Sequence, residues 1–417
     1  MTGSVHLDDL AEPRFPADAQ AVLDMMAGMA DTCPLEPAAL MEAAVAQTGG
    51  LSDFGDPAFH DNLELLCRSL REEAGLGPHG RTATYVRFVQ LLKNRLLVED
   101  LLQRHPEIRD IPITAPIIIA GMPRTGTTHL QNLIAADPAI RSLPYWEAVE
   151  PVPPPGEEGI EPRIARAAAA LDFVHTAMPY FRRMFDLAPT NSHEEIDLLA
   201  MTFASVSFET QALIPSYRDW YTSADQTPAY AYLRTVLQVL TWLRPGPGRW
   251  VLKSPQHLEQ FGPMMRVFPD AVVVVTHRDP VAITASMTTM ICYALRLSTA
   301  PVDPHKVGRY WASRTEDLLT GCLRDRHLAP PDRSIDVLFH EFMADEAAMV
   351  RRVYAAAGQP FTAETQAAMD AYLAEHRRGR HGTVDYRLGD LGLDPAERRS
   401  ALAHYTAHFG VREETMR

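Results

Sequence analysis

The stretch Pro116-Ile-Ile-Ile-Ala-Gly-Met-Pro-Arg-Thr-Gly-Thr-Thr128, running on into His129-Leu-Gln-Asn-Leu-Ile134, constrains the fold of this chain more than any other. Ile117 to Ala120 is a short apolar run, rich in β-branched residues and bounded by prolines, and reads as a buried strand. Leu130, Leu133 and Ile134 recur at helical spacing and predict a helix. Between them, Gly121 to Gly126 forms a tight loop whose glycines open backbone conformations that side chains forbid. A strand, a glycine-framed turn and a helix N-terminus together aim unpaired N–H groups and the helix dipole at one spot. That spot suits a phosphate.

The kind of phosphate follows from what the loop lacks. Its G-x-x-x-x-G spacing is that of a nucleotide P-loop, but Thr127 stands where the lysine of G-x-x-x-x-G-K-[ST] would be. That lysine serves β- and γ-phosphates, and the hydroxyl after it serves Mg²⁺. Here the positive charge lies inside the loop, at Arg124, and two hydroxyls, Thr127 and Thr128, follow the second glycine. Such a loop fits a 5′-phosphate carrying one transferable group, with no metal required. An ordinary strand-to-helix turn is the bland alternative.

At 417 residues the chain can bury a large core, in one elaborated domain or two. A net charge of −14 argues against general affinity for nucleic acid or anionic membranes, so an anionic ligand must be held by local charges. No apolar run approaches the roughly 20 residues that span a bilayer. The first ten residues lack the pattern of a signal peptide. Cys33, Cys67, Cys292 and Cys322 are widely spaced, as free thiols would be, and the expectation is a cytoplasmic protein. Residues 1–110 read as a helical region, and 111–417 as an α/β domain with a helical insertion at about 160–245.

Several side chains beyond the loop are candidates for chemistry. Glu147 follows the helix that leaves the loop, and chain geometry could return it beside the transferable group as a base; a solvated loop carboxylate is the alternative. In His193-Glu194-Glu195 no second histidine completes H-E-x-x-H, so a zinc site is not expected. Ser192 with Glu195 fits a capping box, and His193 as a base is the other reading. The aromatic run Tyr217, Trp220, Tyr221, Tyr230 and Tyr232 fits either a cavity wall or a core stripe. Lys253 ends the short strand Trp250-Val-Leu-Lys253, where open α/β sheets bind ligands, unless it is a solvated loop lysine. Ala271-Val-Val-Val-Val-Thr276 reads as a buried parallel strand. It leads to Arg278, and Pro280 opens the next helix. Arg278 and Ser286 could converge on a second anion, or Arg278 could bridge a local carboxylate.

These residues carry a resemblance. Gly121-x-Pro-Arg-Thr-Gly-Thr-Thr128, Leu252-Lys-Ser-Pro255 and His277-Arg-Asp-Pro280 with Ser286 resemble the motifs of the PAPS-dependent sulfotransferases, in particular a bacterial branch related to the tyrosylprotein and heparan sulfotransferases. The resemblance implies an α/β P-loop-containing nucleotide-binding fold, a parallel sheet flanked by helices. It implies PAPS as co-substrate, PAP as product and no metal. Arg124, Thr125, Gly126, Thr127 and Thr128 would grip the 5′-phosphosulfate, Lys253 would contact the transferred sulfonate, and Arg278 with Ser286 would hold the 3′-phosphate. Thr125 departs from the commoner serine but keeps the hydroxyl. The family's base is a histidine or a glutamate. Glu147 sits a residue or two from the glutamate position, and His193 is the reserve. Arg377-Arg-Gly-Arg-His381-Gly382, basic and glycine-containing, resembles a C-terminal segment that closes over the nucleotide, with Arg380 and His381 as contacts. The acceptor would be a small molecule, lipid or glycan, and a homodimer is left open. A P-loop kinase or NTPase and a non-catalytic nucleotide-binding module are the rival readings.

Overall fold

Among the described residues, seven strands organise the chain: β1 (Ser4–Val5), β2 (Ile117–Gly121), β3 (Ile140–Arg141), β4 (Arg249–Ser254), β5 (Val272–His277), β6 (Ser334–Leu338) and β7 (Thr383–Val384). The structure, a computed structural model, describes residues 3–377 and 379–415, so Arg378 of the basic loop lies outside the described residues. Five strands form one sheet in the order β3-β4-β2-β5-β6, and every neighbouring pair is parallel. β1 and β7 make a separate parallel ladder.

The registers explain why the loop dominates the fold. β2 is the middle strand, with Ala120 level with Ser254 on one side and Val275 on the other. Parallel strands end at the same edge, so Lys253 and Arg278 emerge on either side of the loop that follows Gly121. Side-chain alternation divides the sheet into two buried faces. Ile117, Ile119, Val251, Val272 and Val274 pack against the helix Thr127–Ala135 and the helix Glu346–Ala357. Ile118, Ala120, Leu252, Val273 and Val275 face the large core. That core also takes in the N-terminal helices Pro37–Gln47, Phe59–Glu73 and Pro78–Arg104.

β2, β4 and β5 lie where their apolar runs put them. β3 does not, because two residues carry no period. Two local readings are decided by the packing. The aromatic run is a core stripe: Tyr217, Tyr221 and Tyr230 are fully buried in the large core, with Trp220 and Tyr232 packed against it. Ser192 caps nothing, since the helix begins at Ile196 with no side-chain cap, and Ser192 instead bridges Pro144. Among the described residues, no helix is long and apolar enough to cross a membrane, and no group of three acidic, His or Cys side chains is placed to hold a metal.

Candidate active site

The loop after β2 is held open by contacts that leave little choice of residue. A Cβ on Gly121 would lie 1.9 Å from Thr276 Oγ1, and Gly126 has φ +88°. Arg124 also sits in the left-handed region, at φ +74°. The Thr125 hydroxyl donates to Met122 O at 2.7 Å and lies 2.6 Å from Thr276 Oγ1. It is buried and its hydroxyl shapes the turn. Thr127 and Thr128 open the helix Thr127–Ala135, and the first intrahelical acceptor, Gly126 O, is taken by Leu130 N–H at 2.9 Å. The N–H groups ahead of it point outward, as helix starts require.

Lys253 completes this side of the mouth. Its side chain is only 2% exposed, and Nζ lies 3.3 Å from Thr128 Oγ1. Nζ also pairs with Glu194, a close contact with a residue that sequence reasoning cited only in rejecting a zinc motif. The next residue holds the strand end. The Glu195 carboxylate is fully buried, accepts Lys253 N–H at 2.7 Å, and pairs with His257 Nε2. Nε2–H donates to the carboxylate, and His257 Nδ1 lies 2.7 Å from Tyr230 Oη. Burial pushes the Glu195 carboxyl up, but the charge and hydrogen bond of His257 and the Lys253 N–H outweigh it, and the carboxyl is held below its ordinary value.

His193 is adjacent, but its ring is otherwise employed. Nε2 lies 3.0 Å from Asp197 Oδ2, and the ring packs edge-on against Tyr145. Its buried Nδ1 has no hydrogen-bond partner among the described residues. Burial raises the Asp197 carboxyl, while the hydrogen bond and charge of His193, with Arg87, hold it below its ordinary value.

Glu147 is not at the mouth. It is buried, receives bonds from Arg244 Nε at 3.1 Å and Nη2 at 2.7 Å, and has Arg141 Nη2 at 3.7 Å. Arg141 pairs in register with Trp250 and lies over its ring, at the start of β4. Lys253 is three residues further, roughly 10 Å along the strand. Chain proximity to the loop therefore misled: the helix Thr127–Ala135 carries the chain back to the starts of β3 and β4, and Glu147 is held at that end by Arg141 and Arg244.

On the other side of the mouth, Arg278 Nη1 donates to Arg124 O at 2.7 Å, which ties the two motifs together and braces the left-handed Arg124. Its guanidinium stacks 4.2 Å from the Phe339 ring centroid, and its Nε and Nη2 meet the Glu414 carboxylate. The bridge to a carboxylate is thus present, from far along the chain. Ser286 does not share a partner with Arg278: its hydroxyl donates back to Ala282 O at 2.8 Å within its own helix.

The Arg124 guanidinium is turned onto Met184 O and lies 3.4 Å from Tyr386 Oη, with Nε buried and unpartnered. Burial raises the Tyr386 hydroxyl against the pull of Arg124 and Arg278. The C-terminal segment therefore reaches the loop through Tyr386. Arg380 and His381, expected to contact a nucleotide, both pair with Asp186.

A strand–loop–helix anion site at the C-terminal edge of a parallel sheet, with its cation supplied by a neighbouring strand, defines the P-loop-like α/β class. Within that class the chain belongs to the sulfotransferase family, whose model, described as Sulfotransferase family, matches residues 116–363, more than half of the 417. The structure is similar to sulfotransferase STF9 from Mycobacterium avium, with a TM-score of 0.81 at 29% identity over 91% of this chain and 97% of that one. It is also similar to sulfotransferase STF1 from Mycobacterium tuberculosis H37Rv, with a TM-score of 0.77 at 29% identity over 88% and 97% of the two chains. Comparison with curated proteins returns no match.

Proposed function

We propose that this sulfotransferase-family protein moves a sulfonate group from PAPS to a hydroxyl, or an amine, of a small-molecule, lipid or glycan acceptor. The observation that carries this reading is Lys253. A buried ammonium from β4 lies against Thr128 at the helix start, in place of the lysine a triphosphate loop would carry. The unpaired N–H groups at that start, the Thr127 and Thr128 hydroxyls and the buried, unpartnered Nε of Arg124 fit a 5′-phosphosulfate. Arg278, level with them across β2, suits the 3′-phosphate, and Ser286 joins it if its hydroxyl turns from Ala282 O.

In this scheme Glu194 replaces Glu147 as the base. Lys253 leaves Glu194 for the oxygen that bridges sulfur and the 5′-phosphate, which frees the carboxylate to take the acceptor's proton. The acceptor oxygen forms its bond to sulfur as the bond from sulfur to the bridging oxygen breaks. The departing phosphate oxygen gains negative charge, and Lys253 with the loop N–H groups meets it. PAP leaves with no net change in oxidation state.

Calorimetric titration of PAP and ADP, into wild type and Arg278→Ala, tests the donor. PAP is expected to bind without metal and to lose about 100-fold in affinity in the variant, the loss of one bidentate phosphate contact. ADP binding as tight as PAP would overturn the proposal.

A further inference from the structure

The Arg278–Glu414 contact goes beyond the donor reading, on which it rests. Arg278 Nε donates to Glu414 Oε1 at 2.6 Å and Nη2 donates to Oε2 at 2.8 Å. This is the two-pronged edge that a phosphate would use. The third direction, Nη1, is fixed on Arg124 O. With Phe339 under its plane, the guanidinium has no comparable edge left for a second oxyanion.

The glutamate is delivered to this position by a defined path. After the helix Ala403–Phe409 the chain turns at Gly410, in the left-handed region at φ +64°. Val411 then anchors it: the side chain is buried in the large core and its N–H donates to Thr406 O at 2.9 Å. Glu414 N–H donates to Asp279 Oδ2 at 2.6 Å. Arg399 pairs with Asp279 at 3.2 Å and with Glu413 at 3.2 Å, and its Nη2 donates to Glu414 O at 3.4 Å. Backbone and flanking charges thus hold the segment in place, while the Glu414 carboxylate itself faces Arg278.

We infer that Glu414 is a built-in competitor for the 3′-phosphate, a carboxylate that occupies Arg278 until a 3′-phosphorylated nucleotide displaces it. A carboxylate and a phosphate present similar paired oxygens to the guanidinium, so the exchange swaps one charge-assisted pair for another. The chain pays for it by lowering the fraction of protein ready to bind, and apparent affinity falls by that fraction. A nucleotide without a 3′-phosphate does not need Arg278 and is indifferent to the latch. The consequence is selectivity as well as restraint: only a ligand with the second phosphate gains by opening the tail.

Calorimetry on the full chain tests this with PAP and adenosine 5′-phosphate as probes, in wild type, Glu414→Gln and Glu413→Gln. Glu414→Gln is expected to bind PAP about tenfold tighter than wild type, with adenosine 5′-phosphate unchanged. Glu413→Gln removes the same charge one residue away, from Arg399 rather than Arg278, and is expected to stay within about twofold of wild type. Equal PAP affinity in wild type and Glu414→Gln overturns the latch and leaves the donor reading intact. Equal tightening by both variants reduces the effect to general charge and also overturns it. Failure of all three proteins to bind PAP removes the donor reading, and the latch with it.

Discussion

The two ends of strand β4 carry the same chemistry put to different ends. At its start, Glu147 is closed between Arg141 and Arg244 beside Trp250, with its side chain 3% exposed. At its finish, Glu194 meets Lys253 beside Thr128, with its side chain 15% exposed. Both are carboxylates paired with cations in a largely buried setting. Only the second lies at the carboxyl edge of the sheet, where parallel strands leave a crevice for ligands. The first has two arginines and no cation to surrender. The second has a single lysine that an incoming anion can claim. Position along a strand, more than residue type, separates an ion pair that holds the fold from one that can be opened.

The sharpest way to break this contrast is Glu194→Gln, for which the largest effect is expected. Loss of a general base lowers turnover by about 1,000-fold. With PAPS and a simple phenol, kcat should fall by that much while PAP affinity stays within about threefold. A variant that keeps wild-type kcat would remove Glu194 from the chemistry.

The same contrast explains what the sequence could convey. β2, β4 and β5 are apolar runs ending in a glycine loop, a lysine and an arginine, so local pattern was enough to bring the loop, Lys253 and Arg278 to one edge of the sheet. The inserted segment offers no such pattern. His193 N–H donates to Leu143 O at 2.7 Å and Gln131 Nε2 donates to His193 O at 2.9 Å, so tertiary contacts alone bring Glu194 to the mouth. The adjacent acids Glu194 and Glu195 were visible, but no spacing rule separates the one that faces Lys253 Nζ from the one that fixes its N–H. Glu147 failed for the reverse reason: its distance from the loop in sequence was informative only if no strand intervened, and β3 does. Glu414 reaches Arg278 from 136 residues away, beyond any local pattern.

Glu147→Gln sharpens the comparison from the structural end. It keeps the shape but leaves Arg141 and Arg244 without their counter-charge, at a cost of about 2 kcal/mol in stability. Urea unfolding should show the lower midpoint, and kcat per folded molecule should stay within about twofold of wild type. A large fall in kcat at an unchanged midpoint would return Glu147 to the mouth and undo the distinction between the two ends.

The smallest effect concerns Glu195, which serves the functional end by structural means. Its folded carboxyl is held below the ordinary value of 4.5, because His257 and the Lys253 N–H outweigh the burial that pushes it up. A carboxyl depressed by folding stabilises the native state fully above its unfolded value, and that contribution is lost as pH falls through the folded one. Wild type should therefore exceed Glu195→Gln in urea midpoint by a constant margin at neutral pH. The margin should shrink once pH drops below 4.5, as protons neutralise in the wild type what the substitution has already removed. A margin that holds steady through that range would mean that the native carboxylate draws nothing from its ionised form. Glu195 would then be a neutral spacer, and the rigid placement of Lys253 would rest on the strand alone.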